Sequence, residues 1–260
     1  MKCMKFVLVC CLTTCFAQKI FAQTAYKHQK KSIISRKIVV LKHIDTLDGL
    51  KKLRTDTLNI PVADKSRPRL RISLRDKKIL FDQRLKEVQK DYADCGCGIV
   101  GLDYKISFES KDIISLQLTF KTEAAYPDIQ KNWLTLNVHT GRPYPLSAEI
   151  NSKGMERLFK MYKDTLLKRI KEDKESNSKE DTSTYNELNA NIKALTRGEL
   201  FSKYVFTNTD IILSIDPILP HVIREEEPND DVSIPYEQLK AYIAPGSIVL
   251  KSAKQKHSHR

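Results

Sequence analysis

Hydrophobic and polar residues alternate through residues 111–122. Ile114, Leu116, Leu118 and Phe120 fall on one side, and Ile113, Ser115, Gln117 and Thr119 on the other. That two-residue period is the signature of a strand with one buried face. Residues 99–109 and 131–140 form similar runs, the second carrying Trp133, Leu134, Leu136 and Val138. Short polar or Pro-containing turns at 110–112 and 125–128 separate the three, so an antiparallel meander with helices on one side is expected. Upstream, residues 32–41 are β-branched and predict a strand. Residues 46–61 show turn residues and little periodicity. Residues 69–75 alternate strictly, Leu70, Ile72 and Leu74 against Arg69, Arg71, Ser73 and Arg75, which predicts a further strand. Residues 76–92 predict a helix from Leu80, Phe81, Leu85, Val88 and Tyr92.

Downstream, Met155, Leu158, Phe159, Tyr162, Leu166 and Ile170 are three or four residues apart and make one apolar stripe on a helix over 151–174. Residues 172–184 are charged and Ser-rich and predict a mobile linker. Tyr185, Leu188, Ile192 and Leu195 define a second helix, expected to end at Gly198. Residues 203–206 and 211–215 pair as a hairpin through 207–210. A short strand at 232–234 leads into a helix over 235–243, with Pro235 in its first turn. The expected fold class is α+β: an antiparallel sheet, meander plus C-terminal hairpin, with helices packed on one face.

Composition narrows the class. The chain has 260 residues, 41% hydrophobic and 30% charged, which excludes wholesale disorder and a multi-span membrane protein. The formal charge of +13 suits anionic partners. It is unevenly placed: residues 27–90 carry a net +12 and residues 91–260 a net −2. Lys2 and Lys5, the apolar run 6–12, and small residues at Cys15 and Ala17 resemble a secretory signal peptide, too short to span a bilayer. Cleavage is expected between Gln18 and Thr24, giving an exported protein, periplasmic or secreted. A lipoprotein anchored at Cys15, in Leu12-Thr13-Thr14-Cys15, is the alternative. The organisation expected is a signal peptide at 1–23, a basic N-terminal region at 24–92, an α+β domain at 93–250 and a basic tail at 251–260. No transmembrane span is expected.

Candidate chemistry is sparse. Cys95 and Cys97 are the two cysteines beyond the signal region, in Asp94-Cys95-Gly96-Cys97-Gly98. An even pair in an oxidising compartment suggests a local disulfide. Extended residues two apart lie about 6.6–7 Å apart at Cα, near the upper bridging limit, so the glycines would have to bend the chain. Simple packing of two small residues stands beside that reading. Arg69, Arg71 and Arg75 offer guanidinium forks to phosphates or acidic glycans, or form a solvated strand face. Glu225, Glu226, Glu227, Asp230 and Asp231 form an acidic cluster suited to a basic protein partner or to calcium, or a solvated loop. His139, beside Thr140-Gly141, is a general-base candidate and could pair with Cys95 or Cys97 if the fold joins them; a surface hydrogen-bonding role is the alternative. His-Glu-x-x-His, Gly-x-Ser-x-Gly and phosphate-cradling glycine loops are absent from the sequence. No catalytic residue, metal site or cofactor is assigned. Export and the lack of aromatics between the arginines argue against nucleic acid.

Several features taken in order resemble a bacterial extracytoplasmic domain of unknown function. They are Tyr104-x-Ile106-x-Phe108, Ile114-Ser115-Leu116, Tyr126-Pro127, then Leu136-x-Val138-x-Thr140-Gly141-Arg142 with Leu146. Tyr204-Val205-Phe206, Ile215, Pro217 and the run Val232-Ser233-Ile234-Pro235-Tyr236-Glu237-Gln238-Leu239 complete the order. Residues 98–249 are similar to the domain found in RsiV-type anti-sigma factors and beside the catalytic domain of PdaC-type peptidoglycan deacetylases. The resemblance implies an α+β fold. It also implies a binding role, since the anti-sigma members bind lysozyme. Two function classes follow. One is a non-enzymatic envelope protein that binds a peptidoglycan-related glycan or a lysozyme-like protein. The other is a secreted hydrolase or thiol redox enzyme with an unrecognised site.

Overall fold

The computed structural model describes residues 32–75, 80, 83–176, 182–219 and 229–250. The signal-like segment with Cys15, the acidic Glu225, Glu226 and Glu227, His221 and the basic tail lie outside the described residues.

Among the described residues, eight strands and five helices run in the order β1 (Ile34–Leu47), β2 (Leu50–Ala63), α1 (Pro68–Ser73), α2 (Leu85–Cys95), β3 (Gly98–Glu109), β4 (Ile113–Glu123), β5 (Asp128–Asn137), α3 (Ser152–Ser176), α4 (Thr182–Ala194), α5 (Arg197–Leu200), β6 (Tyr204–Phe206), β7 (Asp210–Leu213) and β8 (Val232–Pro235). A 3₁₀ turn at Leu146–Ala148 precedes α3, and a 3₁₀ helix at Tyr236–Tyr242 follows β8. The class is α+β. β1 to β5 form one sheet in chain order, and β6 to β8 form a second. All pairings are antiparallel except β2 with β3, which meet in parallel at Leu58 and Leu102. That parallel join needs a crossover, and α1 and α2 supply it. The basic N-terminal region therefore shares a sheet with the meander, and the described residues from Ile34 onward belong to one compact unit. The change of charge near residue 92 marks a change of surface.

Four expectations need correction. Residues 46–61, expected to be irregular, contain most of β2, paired with β1 along its whole length. Lys51, Thr55 and Thr57 lie on a face that stays in water, and on the other face only Leu58 and Ile60 are buried apolar side chains within residues 46–61. Residues 69–75 form a helix and a turn instead of a strand. Leu70 and Leu74 are four apart and both buried, whereas Ile72, expected beside them, is exposed. Pro68 at the first helical position presets the backbone for it. The linker expected at 172–184 is largely helical, since α3 runs to Ser176 and α4 begins at Thr182. The second helix ends at Ala194 instead of Gly198, because Thr196 caps a new short helix in a reciprocal bond with Glu199.

The two faces of the large sheet are covered differently. Leu58, Leu102 and Phe120 share one face through direct pairing. Helix α2 lies on that face, since Tyr92 donates to Asp56, two residues from Leu58. The opposite face was expected to be open along β4, yet Ile113 and Ser115 are fully buried. The small sheet stands on it by an edge. Outward backbone groups of β6 meet two hydroxyls: Ser115 Oγ accepts from the Phe206 N–H at 3.2 Å, and Thr135 Oγ1 donates to the Tyr204 carbonyl at 3.0 Å. The two hydroxyls bond each other at 2.9 Å. A buried edge strand needs such partners, because unpaired backbone groups away from water are costly. Beyond that edge, α3, α4 and β6 to β8 enclose the main C-terminal core around Tyr162, Leu166, Leu188, Phe206 and Ile211. No helix among the described residues is long and apolar enough to cross a membrane.

Candidate functional site

The sequence-derived basic residues sit on α1 and the turn after β5. Asn137 organises that turn: its side-chain oxygen accepts from the backbone N–H groups of His139 and Thr140, and its carbonyl accepts from Gly141 N–H at 2.8 Å. Gly141 has φ of 69°, a left-handed conformation favoured by glycine. A Cβ there would lie 2.4 Å from Ser73 Oγ and 2.6 Å from the Arg69 carbonyl oxygen. The missing side chain is thus what lets α1 seat on the turn. Arg69 and Arg71 lie in the helix and Arg75 just beyond its cap, with the Arg69 backbone over the turn; a strand would have put all three on one face. Arg69 and Arg75 are exposed, and among the described residues none of the three makes an ion pair. Arg142, exposed on the turn itself, is likewise unpaired.

His139 lies at the rim of this surface. Its Nε2 donates to Asp112 Oδ1 at 3.0 Å, and its Nδ1 accepts from Arg67 at 3.4 Å. With both ring nitrogens engaged, the imidazole has no free site for taking a substrate proton. Cys95 and Cys97 are joined in a disulfide, with Cα atoms 5.2 Å apart. Gly96, in a left-handed conformation with φ of 65°, brings the two closer than an extended chain would. A disulfide offers no thiolate to pair with His139. The imidazole that packs here is His43: a Cβ on Gly96 would fall 2.7 Å from its Cδ2. His43 Nδ1 bonds the Ala93 carbonyl at 2.9 Å, tying β1 to the end of α2.

Sequence reading missed a charged network on the same side. Tyr92, fully buried, donates to Asp56 at 2.5 Å; Arg54 bonds both Asp56 and Glu123. Burial and the Asp56 carboxylate push the Tyr92 hydroxyl up to about 12. It stays protonated and donating at neutral pH, so the network clamps α2 to β2.

Of the acidic cluster, Asp230 and Asp231 are described, and both are bonded within the fold. Asp230 accepts from Ser214 Oγ at 2.5 Å and Ile215 N–H at 3.1 Å, and its carbonyl accepts from Tyr162 at 3.0 Å. Asp231 pairs with Lys131 of β5 at 3.2 Å, and Arg169 of α3 donates to the Asp231 carbonyl at 3.0 Å. Burial raises the Asp231 carboxyl above its usual range, against the pull of Lys131. Both residues therefore serve as joints between α3, β5 and β7. Among the described residues no three acidic, imidazole or thiol groups converge on a metal position. A cavity beside Asp230, lined by Leu166, Leu188 and Ile215, measures about 10 Å³, room for one water at most.

The disulfide is expected to be dispensable for global stability. Its ring is too short to constrain the unfolded chain much, whereas models give about 3 kcal/mol for a loop of ~15 residues. A C95S/C97S variant should melt in urea within about 1 kcal/mol of the parent; a loss of several kcal/mol would show that the pair carries the α2–β3 junction.

No family model matches the sequence, and no curated protein matches it. Solved structures do resemble the fold. A DUF3298 family member from Bacteroides fragilis matches with a TM-score of 0.50 at 13% identity, over 86% of this chain and 100% of that one. A DUF3298 family protein from Pseudomonas aeruginosa matches with a TM-score of 0.50 at 14% identity, over 83% of this chain and 96% of that one. The likeness extends beyond residues 98–249 and takes in part of the basic N-terminal region. The chain has the fold of DUF3298 family proteins.

Proposed function

We propose that the protein is an exported component of the bacterial envelope that binds a peptidoglycan-related anionic glycan without turning it over. One observation carries the choice of ligand. Among the described residues the guanidinium groups of Arg69, Arg71 and Arg75 make no ion pair, whereas Asp230 is bonded to Ser214 and Ile215 and Asp231 is paired with Lys131. An anionic partner thus meets available charge, and a basic lysozyme-like protein meets less of it. The occupied nitrogens of His139 and the closed Cys95–Cys97 disulfide support binding over the hydrolase or thiol redox alternative.

Co-sedimentation with purified peptidoglycan tests this. Replacing Arg69, Arg71 and Arg75 together by glutamine should weaken binding roughly tenfold or more, from three exposed contacts of up to about 1 kcal/mol each. Raising the salt should weaken the parent similarly, since exposed charges are screened over ~8 Å at physiological ionic strength. Replacing Glu225, Glu226 and Glu227 by glutamine should leave it unchanged. Loss of binding only in the glutamate variant, and to lysozyme, would establish the protein partner instead. Release of soluble fragments or acetate from peptidoglycan by the purified protein would establish an enzyme.

A further inference from the structure

The β1–β2 hairpin reaches the edge of the large sheet with one face packed and the other bare. Val39 and Leu41 are buried, whereas Ile38 is 62% exposed, Val40 48%, Ile44 56% and Leu53 60%. These four share a face, because Ile44 pairs directly with Leu53, and Val40 and Ile38 follow at two-residue steps along β1. Solitary exposed apolar residues need no explanation, but a row of them on one face does. Lys42 and Lys51 lie on the same face, both exposed and without an ion pair among the described residues. The β1 and β2 residues that share this face include no acidic side chain.

The free edge coincides with this face. Asp48 and Gly49, with φ of 52° and 77°, make a two-residue turn, so Leu47 and Leu50 form a hydrogen-bonded pair. Bonded and non-bonded pairs alternate in an antiparallel ribbon. The odd-numbered residues of β1 therefore bond to β2. The even-numbered ones, Ile38, Val40, Lys42 and Ile44 among them, aim their N–H and C=O groups outward. β1 is the first strand of the sheet, and no described strand pairs with that side.

We propose that β1 is a strand-addition edge for an extended antiparallel partner segment that carries apolar residues and an acidic one together on one face, at every second position. Main-chain bonds to the outward groups would supply affinity. Apolar side chains at every second position would lie beside Ile38, Val40 and Ile44, and a carboxylate between them beside Lys42. The charge selects this occupant over a second copy: residues 34–63 hold six Lys or Arg against three Asp, so copies pairing edge to edge would set like charges together. A membrane surface would use the face but not the backbone groups of the same residues.

The probe is a fluorescein-labelled nine-residue peptide with blocked ends, threonine at its odd positions and Val, Glu, Val and Val at its even ones, which face Ile44, Lys42, Val40 and Ile38 in an antiparallel pairing. It should bind the full chain and slow amide exchange at Ile38, Val40, Lys42 and Ile44 by tenfold or more. The odd-numbered amides of β1, already bonded to β2, should not change. Val40→Pro removes one outward N–H and no β1–β2 bond, and should weaken binding about tenfold. Lys42→Glu should also weaken it while leaving the backbone intact, which keeps the test independent of any disturbance from proline. Four results would each overturn the proposal. They are no protection of those amides, equal binding of the same peptide with lysine in place of its glutamate, protection in the protein alone with a dimer in sedimentation, and binding to phosphatidylglycerol vesicles without amide protection.

Discussion

Glu149→Ala should destabilise the protein by at least about 3 kcal/mol, the largest effect expected from any single carboxylate here. The side chain is fully buried yet completely partnered. Oε1 accepts from Tyr144 at 2.7 Å, Ile248 N–H at 2.9 Å and Val249 N–H at 3.2 Å. Oε2 accepts from Ser247 at 2.6 Å, Val249 N–H at 3.0 Å and Leu250 N–H at 3.1 Å. One carboxylate thus satisfies two hydroxyls and three consecutive backbone donors, 100 residues away in the case of Val249. Removing it leaves those donors dry, and each buried unsatisfied donor costs about 1–3 kcal/mol. Urea melts would read the loss. Tyr144→Phe, which removes a single donor along with its bond, should cost about 1 kcal/mol and serves as the scale. If Glu149→Ala melted within about 1 kcal/mol of the parent, residues 247–250 would lie outside the cooperative unit.

Gly141→Ala should lower stability by about 2 kcal/mol or more and, through α1, weaken binding of anionic ligands. A left-handed conformation costs a non-glycine residue about 1–2 kcal/mol. The new methyl would also press on Ser73 Oγ and on the Arg69 carbonyl, and backbone cannot move aside as a side chain can. Relief requires α1 to lift from the turn, carrying Arg69 and Arg71 with it. Adding Ser73→Gly should recover only part of the loss, because the Arg69 contact remains. Unchanged melting of Gly141→Ala would mean that α1 does not seat as described.

Residues with a strong local period were legible from the chain alone. β3, β4 and β5 alternate, α3 carries its stripe from Met155 to Ile170, and β6–β7 is flanked by turn residues. β2 was not legible, because a strand with one face in water and Lys, Thr and Asp along it has the composition of a loop. The Arg69–Arg75 stretch satisfied two periods at once: Leu70 and Leu74 suit a strand face at two-residue steps and a helix face at four. Pro68 tips the local preference toward a helix, and the seat offered by Gly141 rewards it. Of the candidate site residues, Arg69, Arg71 and Arg75 kept their availability. Asp230 and Asp231 did not, since Ser214, Ile215 and Lys131 reach them from distant parts of the chain.

Local spacing determines which way each side chain points, because the backbone period is a property of neighbouring residues. That was enough to define the meander, the main amphipathic helix and the α+β class. What lies opposite each side chain is a matter of tertiary packing. Ser115, on the polar side of its strand, becomes the acceptor for a buried strand edge, and Glu149 becomes the anchor of residues 247–250. Ile38, Val40 and Ile44, apolar positions of a strand, remain bare at the sheet's edge. Each outcome turns on partners that are distant in sequence, and it was the tertiary structure that chose them, by the need to pair every polar group taken out of water.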